Sequence, residues 1–155
     1  MDITQHKEIR LENLLTNRAN IEEGAMEKEF KVMETFIKEN KLNQVGGVIT
    51  AIHKMDKENG LLDMEIMIPV ESSIDSLEPY TIKPIFHLVN ALHLEYLGDP
   101  KDLLTAYKEI YTYVADHNLQ PITPLYNFYS NNSSEEQVSN ALKVDMLIGV
   151  NPSII

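Results

Sequence analysis

Two carboxylates stand inside strand-like apolar runs: Glu65 in Asp63-Met64-Glu65-Ile66-Met67-Ile68-Pro69-Val70, and Asp145 in Val144-Asp145-Met146-Leu147-Ile148-Gly149-Val150. In an extended chain alternate side chains point to opposite faces, so each acid is carried on the side its aliphatic neighbours avoid. Aligning Pro69-Val70 with Gly149-Val150 superposes the two acids. On the floor of a cleft such a pair would favour a cationic guest or acid/base work, whereas on the solvated side of an edge strand it would do neither. Tyrosines are the second resource. Ahead of position 80 the aromatic residues are Phe30 and Phe36, whereas the rest of the chain carries Tyr80, Phe86, Tyr96, Tyr107, Tyr111, Tyr113, Tyr126, Phe128 and Tyr129. Tyr96, Tyr126 and Tyr129 suit a pocket wall, through stacking, cation–π attraction and hydroxyl hydrogen bonds. Half-buried strand tyrosines are common in any sheet, which is the simpler reading.

Other chemistries lack their residues. There is no cysteine, and the histidines at 6, 53, 87, 93 and 117 have no metal-ligand spacing. His93 and Glu95 share a strand face, but two ligands from one strand do not make a metal site. Gly46-Gly47 is not followed by the Lys-Ser/Thr of a phosphate loop. Ser72, Ser73, Ser133 and Ser134 lie in polar loops rather than at a nucleophile elbow. No catalytic residue, metal or cofactor is therefore assigned. With 24 acidic against 13 basic residues and a net charge of −11, nucleic acid is a poor partner, because its binding depends on Lys and Arg meeting phosphates. A cationic small molecule or a basic protein suits that field, and solubility alone would also account for it. No apolar run approaches the ~20 residues of a membrane span, and Met1 to His6 is not a basic-then-apolar leader. The expectation is a cytoplasmic protein with no membrane partner.

The elements that must position these residues are legible from periodicity. Asp99-Pro100 predicts a helix start, and Leu103, Tyr107, Ile110 and Val114 form one helical face in a helix from Asp99 to Leu119. The same stripe occurs 77 positions earlier as Met26, Phe30, Met33 and Ile37. Tyr107 is thus core. Asn20 with Glu23 resembles a capping box, which places the first helix from Asn20 to about Lys41. Strands are predicted over residues 6–15, at Val48 to Ile52, and from Leu62 to Val70, the last two joined by a hairpin at Lys57-Glu58-Asn59-Gly60. In the other half an extended segment runs from Tyr80 to Tyr96, as one bent strand or two. Strands at Leu125 to Ser130 and Leu142 to Val150 follow, separated by a polar tip from Asn131 to Gln137. The shift of 77 also carries Leu119 onto Leu42, Ile122 onto Val45 and Leu125 onto Val48, so the chain reads as an internal duplication.

The expected fold class is α+β: a duplicated strand-helix-strand-strand unit, with an antiparallel sheet of six to eight strands and both helices on one face about a pseudo-twofold axis. The expected organisation is a single domain, 1–155, made of repeats at about 1–71 and 80–155 with a linker at 72–79.

With this unit and these closing strands, the chain resembles the gyrase-inhibitor-like (GyrI-like) effector-binding superfamily, whose halves end in an acid within an Ile/Val-rich strand followed by Pro-Val. The resemblance implies a pseudo-symmetric cleft for small, often cationic or aromatic molecules, here in a stand-alone member without a DNA-binding module. Glu65 and Asp145 match the family's strand acids, and Tyr129 matches an aromatic usual after the second helix. Asn127 stands where a carboxylate is often found. Three functions stay open. The first is a non-enzymatic ligand-binding domain with Glu65, Asp145, Tyr96, Tyr126 and Tyr129 around the cleft. The second is an acidic accessory protein, as a monomer or a homodimer, that holds a protein partner such as a toxin or secretion substrate. The third is a hydrolase with Glu65 or Asp145 as base and Tyr129 as the orienting group.

Overall fold

The structure is a computed structural model that describes residues 2–22, 24–71, 78–130 and 142–153. The order is β1 (Ile3–Glu22), α1 (Met26–Glu39), β2 (Ile49–Asp56), β3 (Leu61–Pro69), β4 (Thr81–Gly98), a 3-10 turn (Pro100–Asp102), α2 (Leu103–Asp116), β5 (Pro121–Tyr129) and β6 (Leu142–Val150). The class is α+β, with two helices and six antiparallel strands among the described residues. None of these helices is long and apolar enough to cross a membrane. Residues 72–77 of the expected linker and the polar tip from Asn131 to Gln137 lie outside the described residues.

The chain forms two compact units, Leu11–Phe86 and Met1–Arg10 with His87–Ile155. In the Leu11–Phe86 unit, β3 is central: β1 pairs with it from Leu14↔Pro69 to Glu22↔Leu61, and β2 from Ile49↔Met67 to Asp56↔Leu61. The Asn-Gly turn between β2 and β3 is made as its residues dictate. Gly60 takes a left-handed φ of 64°, and the Asp56 carboxylate accepts from the Asn59 side chain (2.8 Å) and backbone N–H (3.2 Å). Met33 and Ile37 of α1 pack on Leu15, Ile21, Met64, Ile66 and Ile68. Each such side chain, fully buried, contributes about 1.5–3 kcal/mol.

The predicted helix start at Asn20 is corrected: residues 20–22 continue β1, pairing Asn20↔Asp63 and Ile21↔Leu62, and α1 begins only at Met26 after Gly24, whose φ is 86°. An N-cap contributes about 1 kcal/mol, which loses to ladder bonds plus burial of Ile21 in the core. Likewise Asp99 does not cap α2. Its Oδ1 accepts from the Lys101 N–H (3.0 Å) and its carbonyl from the Asp102 N–H (3.0 Å), which closes the 3-10 turn instead.

In the second unit β6 is central, flanked by β4 (Ala91↔Gly149 to Gly98↔Leu142) and β5 (Leu125↔Ile148 to Tyr129↔Val144). The expected extended segment from Tyr80 to Tyr96 is one strand from Thr81 onward, most of β4. Ala106, Ile110 and Val114 of α2 pack on Leu92, Leu94, Val144, Met146 and Ile148.

Corresponding joints recur in the two units. Both helices have 14 residues and end in the same hydrogen-bond pair around a left-handed residue. In α1 the Lys41 N–H donates to Lys38 O and the Leu42 N–H to Ile37 O; in α2 the Asn118 N–H donates to Ala115 O and the Leu119 N–H to Val114 O. The Glu71 N–H donates to Asn43 O at 2.8 Å, as the Asn151 N–H does to Gln120 O at 2.8 Å.

Candidate functional site

Alternation in β3 sends Met64, Ile66 and Ile68 to α1 and leaves Asp63, Glu65 and Met67 on the far face. Arg18 of β1 and Ala51 of β2 stand directly opposite Glu65. Arg18 is engaged elsewhere: its Nε and Nη2 donate to Asp63 Oδ1 and Oδ2 at 3.1 and 3.0 Å. That fork raises the guanidinium's pKa and holds the Asp63 carboxyl below its ordinary value. Glu65 is bonded to two other groups. Its Oε1 lies 3.2 Å from His53 Nε2, and its Oε2 accepts from Lys83 Nζ at 3.2 Å. The Glu65 side chain is 14% exposed.

In the second unit Asp145 stands opposite Glu95 on β4 and Phe128 on β5. His93 Nε2 lies 2.8 Å from Asp145 Oδ1, and the Asp145 side chain is 38% exposed. Tyr126, two residues before Phe128, shares this face opposite Leu147 and is buried. Tyr96 and Tyr129 do not. Both stand opposite Val144, on the helix side, where Tyr96 belongs to the core and Tyr129 packs against it. The Tyr96 hydroxyl donates to the Asp99 carbonyl, and burial pushes its pKa up. In this unit the structure therefore places Asp145 and Tyr126 on one face of the strands and Tyr96 and Tyr129 on the other. An Asp145 base oriented by Tyr129 has its members on opposite sides of one sheet.

The groups the two acids touch are His53, Lys83 and His93; of these the sequence draws attention to His93 alone, and as a partner of Glu95 rather than of Asp145. Among the described residues no three His, Asp or Glu side chains are grouped to hold a metal. A groove of about 780 Å³ lies elsewhere in the Leu11–Phe86 unit, between α1 and Pro79-Tyr80, lined by Lys28, Val32 and Phe36 among others. It includes none of Glu65, His53 and Lys83.

Two three-stranded antiparallel sets, each with a long helix on one side and an acid on the other, are the makings of the gyrase-inhibitor-like fold, and the chain has that fold. It belongs to the DUF5085 family, described as a domain of unknown function, which matches residues 11–147. Among solved structures it is similar to the C-terminal domain of EcmrR, with a TM-score of 0.82 at 15% identity over 98% of each chain. In the EcmrR–DNA complex the TM-score is 0.84 at 14% identity, and this chain spans 58% of the EcmrR chain. SAV2435 bound to tetraphenylphosphonium gives 0.59 at 11% identity, over 98% of this chain and 95% of that one. A hydrolase from Listeria innocua gives 0.61 at 8%, over 94% and 92%. Identities this low speak for the fold alone. Among curated proteins none matches the sequence.

Proposed function

We propose that this chain is a non-enzymatic ligand-binding domain that takes a small organic cation with aromatic character at Glu65 of the Leu11–Phe86 unit, and that Asp145 and Tyr126 are ligand contacts of a separate surface in the other unit. The observation that carries the reading is the setting of Glu65. A mostly buried carboxylate stands away from the helix, has an ammonium 3.2 Å from its Oε2, and sits two residues from the fully buried thioether of Met67. Carboxylate, thioether and aromatic ring are the groups that hold such cations. The phosphonium cation in SAV2435 supports the ligand class. We further read the recurring joints as an internal duplication, which gives each half its own acid. Tyr96 and Tyr129 are left out of the proposed contacts because they pack toward α2.

The test is a thermal-shift and calorimetric titration of tetraphenylphosphonium against wild type, Glu65→Gln and Asp145→Asn. The expected outcome is stabilisation of wild type, with the larger loss in Glu65→Gln. Binding that survives both substitutions unchanged, or no binding by the wild type, would overturn the reading.

A further inference from the structure

The carboxylate proposed to receive a cation already has one, and it is the chain's own. Lys83 Nζ lies 3.2 Å from Glu65 Oε2, 3.8 Å from Met67 Sδ and 6.0 Å from the centre of the Phe86 ring, over its face. A carboxylate, a polarisable sulfur and an aromatic face are what a bound organic cation would meet. The other Glu65 oxygen is bonded to His53. Arg18, although directly opposite on β1, is held by Asp63 and leaves Lys83 as the full cation on Glu65.

We propose that Lys83 is the resident occupant and the specificity-determining residue of the Glu65 site: a ligand cation binds by displacing its ammonium. This rests on Glu65 being a ligand contact. The tether decides which cations succeed. Lys83 is covalently held beside Glu65, so it competes at a high effective concentration that no free small amine matches. A larger cation brings apolar surface of its own that a lysine tip lacks, and each Å² of it removed from water adds about 25 cal/mol. The site therefore selects bulky lipophilic cations and turns away ammonium and short alkylamines. Lys83 is 35% exposed at its side chain, which gives a displaced ammonium a route to water.

The closing experiment titrates tetraphenylphosphonium and, separately, methylammonium into wild type, Lys83→Gln, Glu65→Gln and the double variant. A partly exposed ion pair that must be broken first lowers apparent affinity by a single-digit factor, so Lys83→Gln is expected to bind the phosphonium about fivefold more tightly than wild type. It is also expected to gain measurable methylammonium binding, while both Glu65→Gln proteins bind weakly and alike. Equal or weaker phosphonium binding by Lys83→Gln, with Glu65→Gln still impaired, overturns the role of Lys83 and spares that of Glu65. Equal binding by Glu65→Gln and wild type overturns the Glu65 reading itself. A second readout needs no variant. Amine labelling of Lys83, followed by mass spectrometry, should rise on saturation with phosphonium because the ammonium is expelled to solvent, and a fall in labelling overturns displacement.

Discussion

In the Leu11–Phe86 unit Glu65 is held from two sides, by Lys83 and His53, at 14% exposure. In the His87–Ile155 unit Asp145 is bonded to His93, stands opposite Glu95 and is 38% exposed. Each acid occupies the same step of a closing strand, and each strand meets its helix through the same kind of aliphatic ridge. The backbone joints agree to the individual hydrogen bond, while the side chains around the acids differ in charge and depth. A scaffold can thus keep its hydrogen-bonded frame and vary what the frame presents.

The largest test of the shared frame concerns two close approaches, one of a glycine ahead of β2 to β3 and one of a glycine in β6 to β5. In the first unit a Cβ on Gly46 would lie 3.0 Å from Pro69 Cγ; in the second a Cβ on Gly149 would lie 2.8 Å from Thr123 Cγ2. Thr123 cannot simply turn away, since its Oγ1 accepts from the Gly149 N–H at 2.8 Å and donates to Pro124 O at 2.8 Å. Gly149→Ala is therefore expected to cost about 1–3 kcal/mol, and Gly46→Ala to fall at the lower end of that range. Adding Thr123→Gly to Gly149→Ala gives the second unit the arrangement of the first. Chemical denaturation should show the double variant less destabilised than the two single changes combined. Strict additivity would break the correspondence.

Next is the buried polar position facing each helix. Thr50 Oγ1 is buried with no hydrogen-bond partner among the described residues, whereas Asn127 is half paired: its Nδ2 donates to the Tyr107 hydroxyl at 2.9 Å, and its Oδ1 is buried without a partner among the described residues. Thr50→Val should stabilise the protein by about 1 kcal/mol, because an unpaired hydroxyl leaves the interior. Asn127→Val should cost less than about 1 kcal/mol, because stranding the Tyr107 hydroxyl is partly offset by removing the unpaired Asn127 Oδ1, and adding Tyr107→Phe in the same chain should recover that cost. Melting curves of the four proteins measure both.

What was legible in sequence was what local pattern controls. Alternation placed Glu65 and Asp145 away from the aliphatic faces, the stripe Leu103-Tyr107-Ile110-Val114 found α2, and Asn59-Gly60 found the hairpin. The Asn20 cap misled because pairing to β3 outweighs a local cap. The Glu65–His53 contact was hidden by a register slip between Ile52 and Lys54. Counting back from the turn sets Ile52 against Glu65, but the slip puts Ala51 there and swings His53 alongside. Lys83 and His93 reach their acids from distant segments, which no period reveals. Tyr96 was readable after all: it continues the Leu92-Leu94 alternation, and that face is core.

The helix ends give a smaller contrast. Lys41 and Asn118 both hold left-handed φ values, 57° and 53°. Asparagine tolerates that region better than lysine, and glycine pays no steric penalty there. Lys41→Gly should therefore stabilise by about 0.5–1 kcal/mol and Asn118→Gly by a few tenths. Equal gains would mean that the two ends differ in strain for reasons other than residue type.

The mildest contrast is electrostatic. Asp63 is held below its ordinary carboxyl range by the Arg18 fork, and Asp56 by hydrogen bonds from Asn59. Both belong to the Leu11–Phe86 unit. Their folded forms bind a proton less readily than the unfolded chain does, so the stability they add is complete above about pH 4 and is lost as pH falls below it. Tyr96, Tyr107 and Tyr111 of the other unit are pushed above the usual phenol value, chiefly by burial. Their contribution is complete below about pH 10 and is lost as pH rises past it. Tyr80 adds one such group to the Leu11–Phe86 unit. Hydrogen exchange should accordingly show amides of the Leu11–Phe86 unit opening first on acidification and those of the His87–Ile155 unit first in alkali. Asp63→Asn should flatten the acid limb, and added salt should weaken it, because the Arg18 side of the pair is exposed. Simultaneous opening of both units at both extremes would show that the charge difference between them has no bearing on stability.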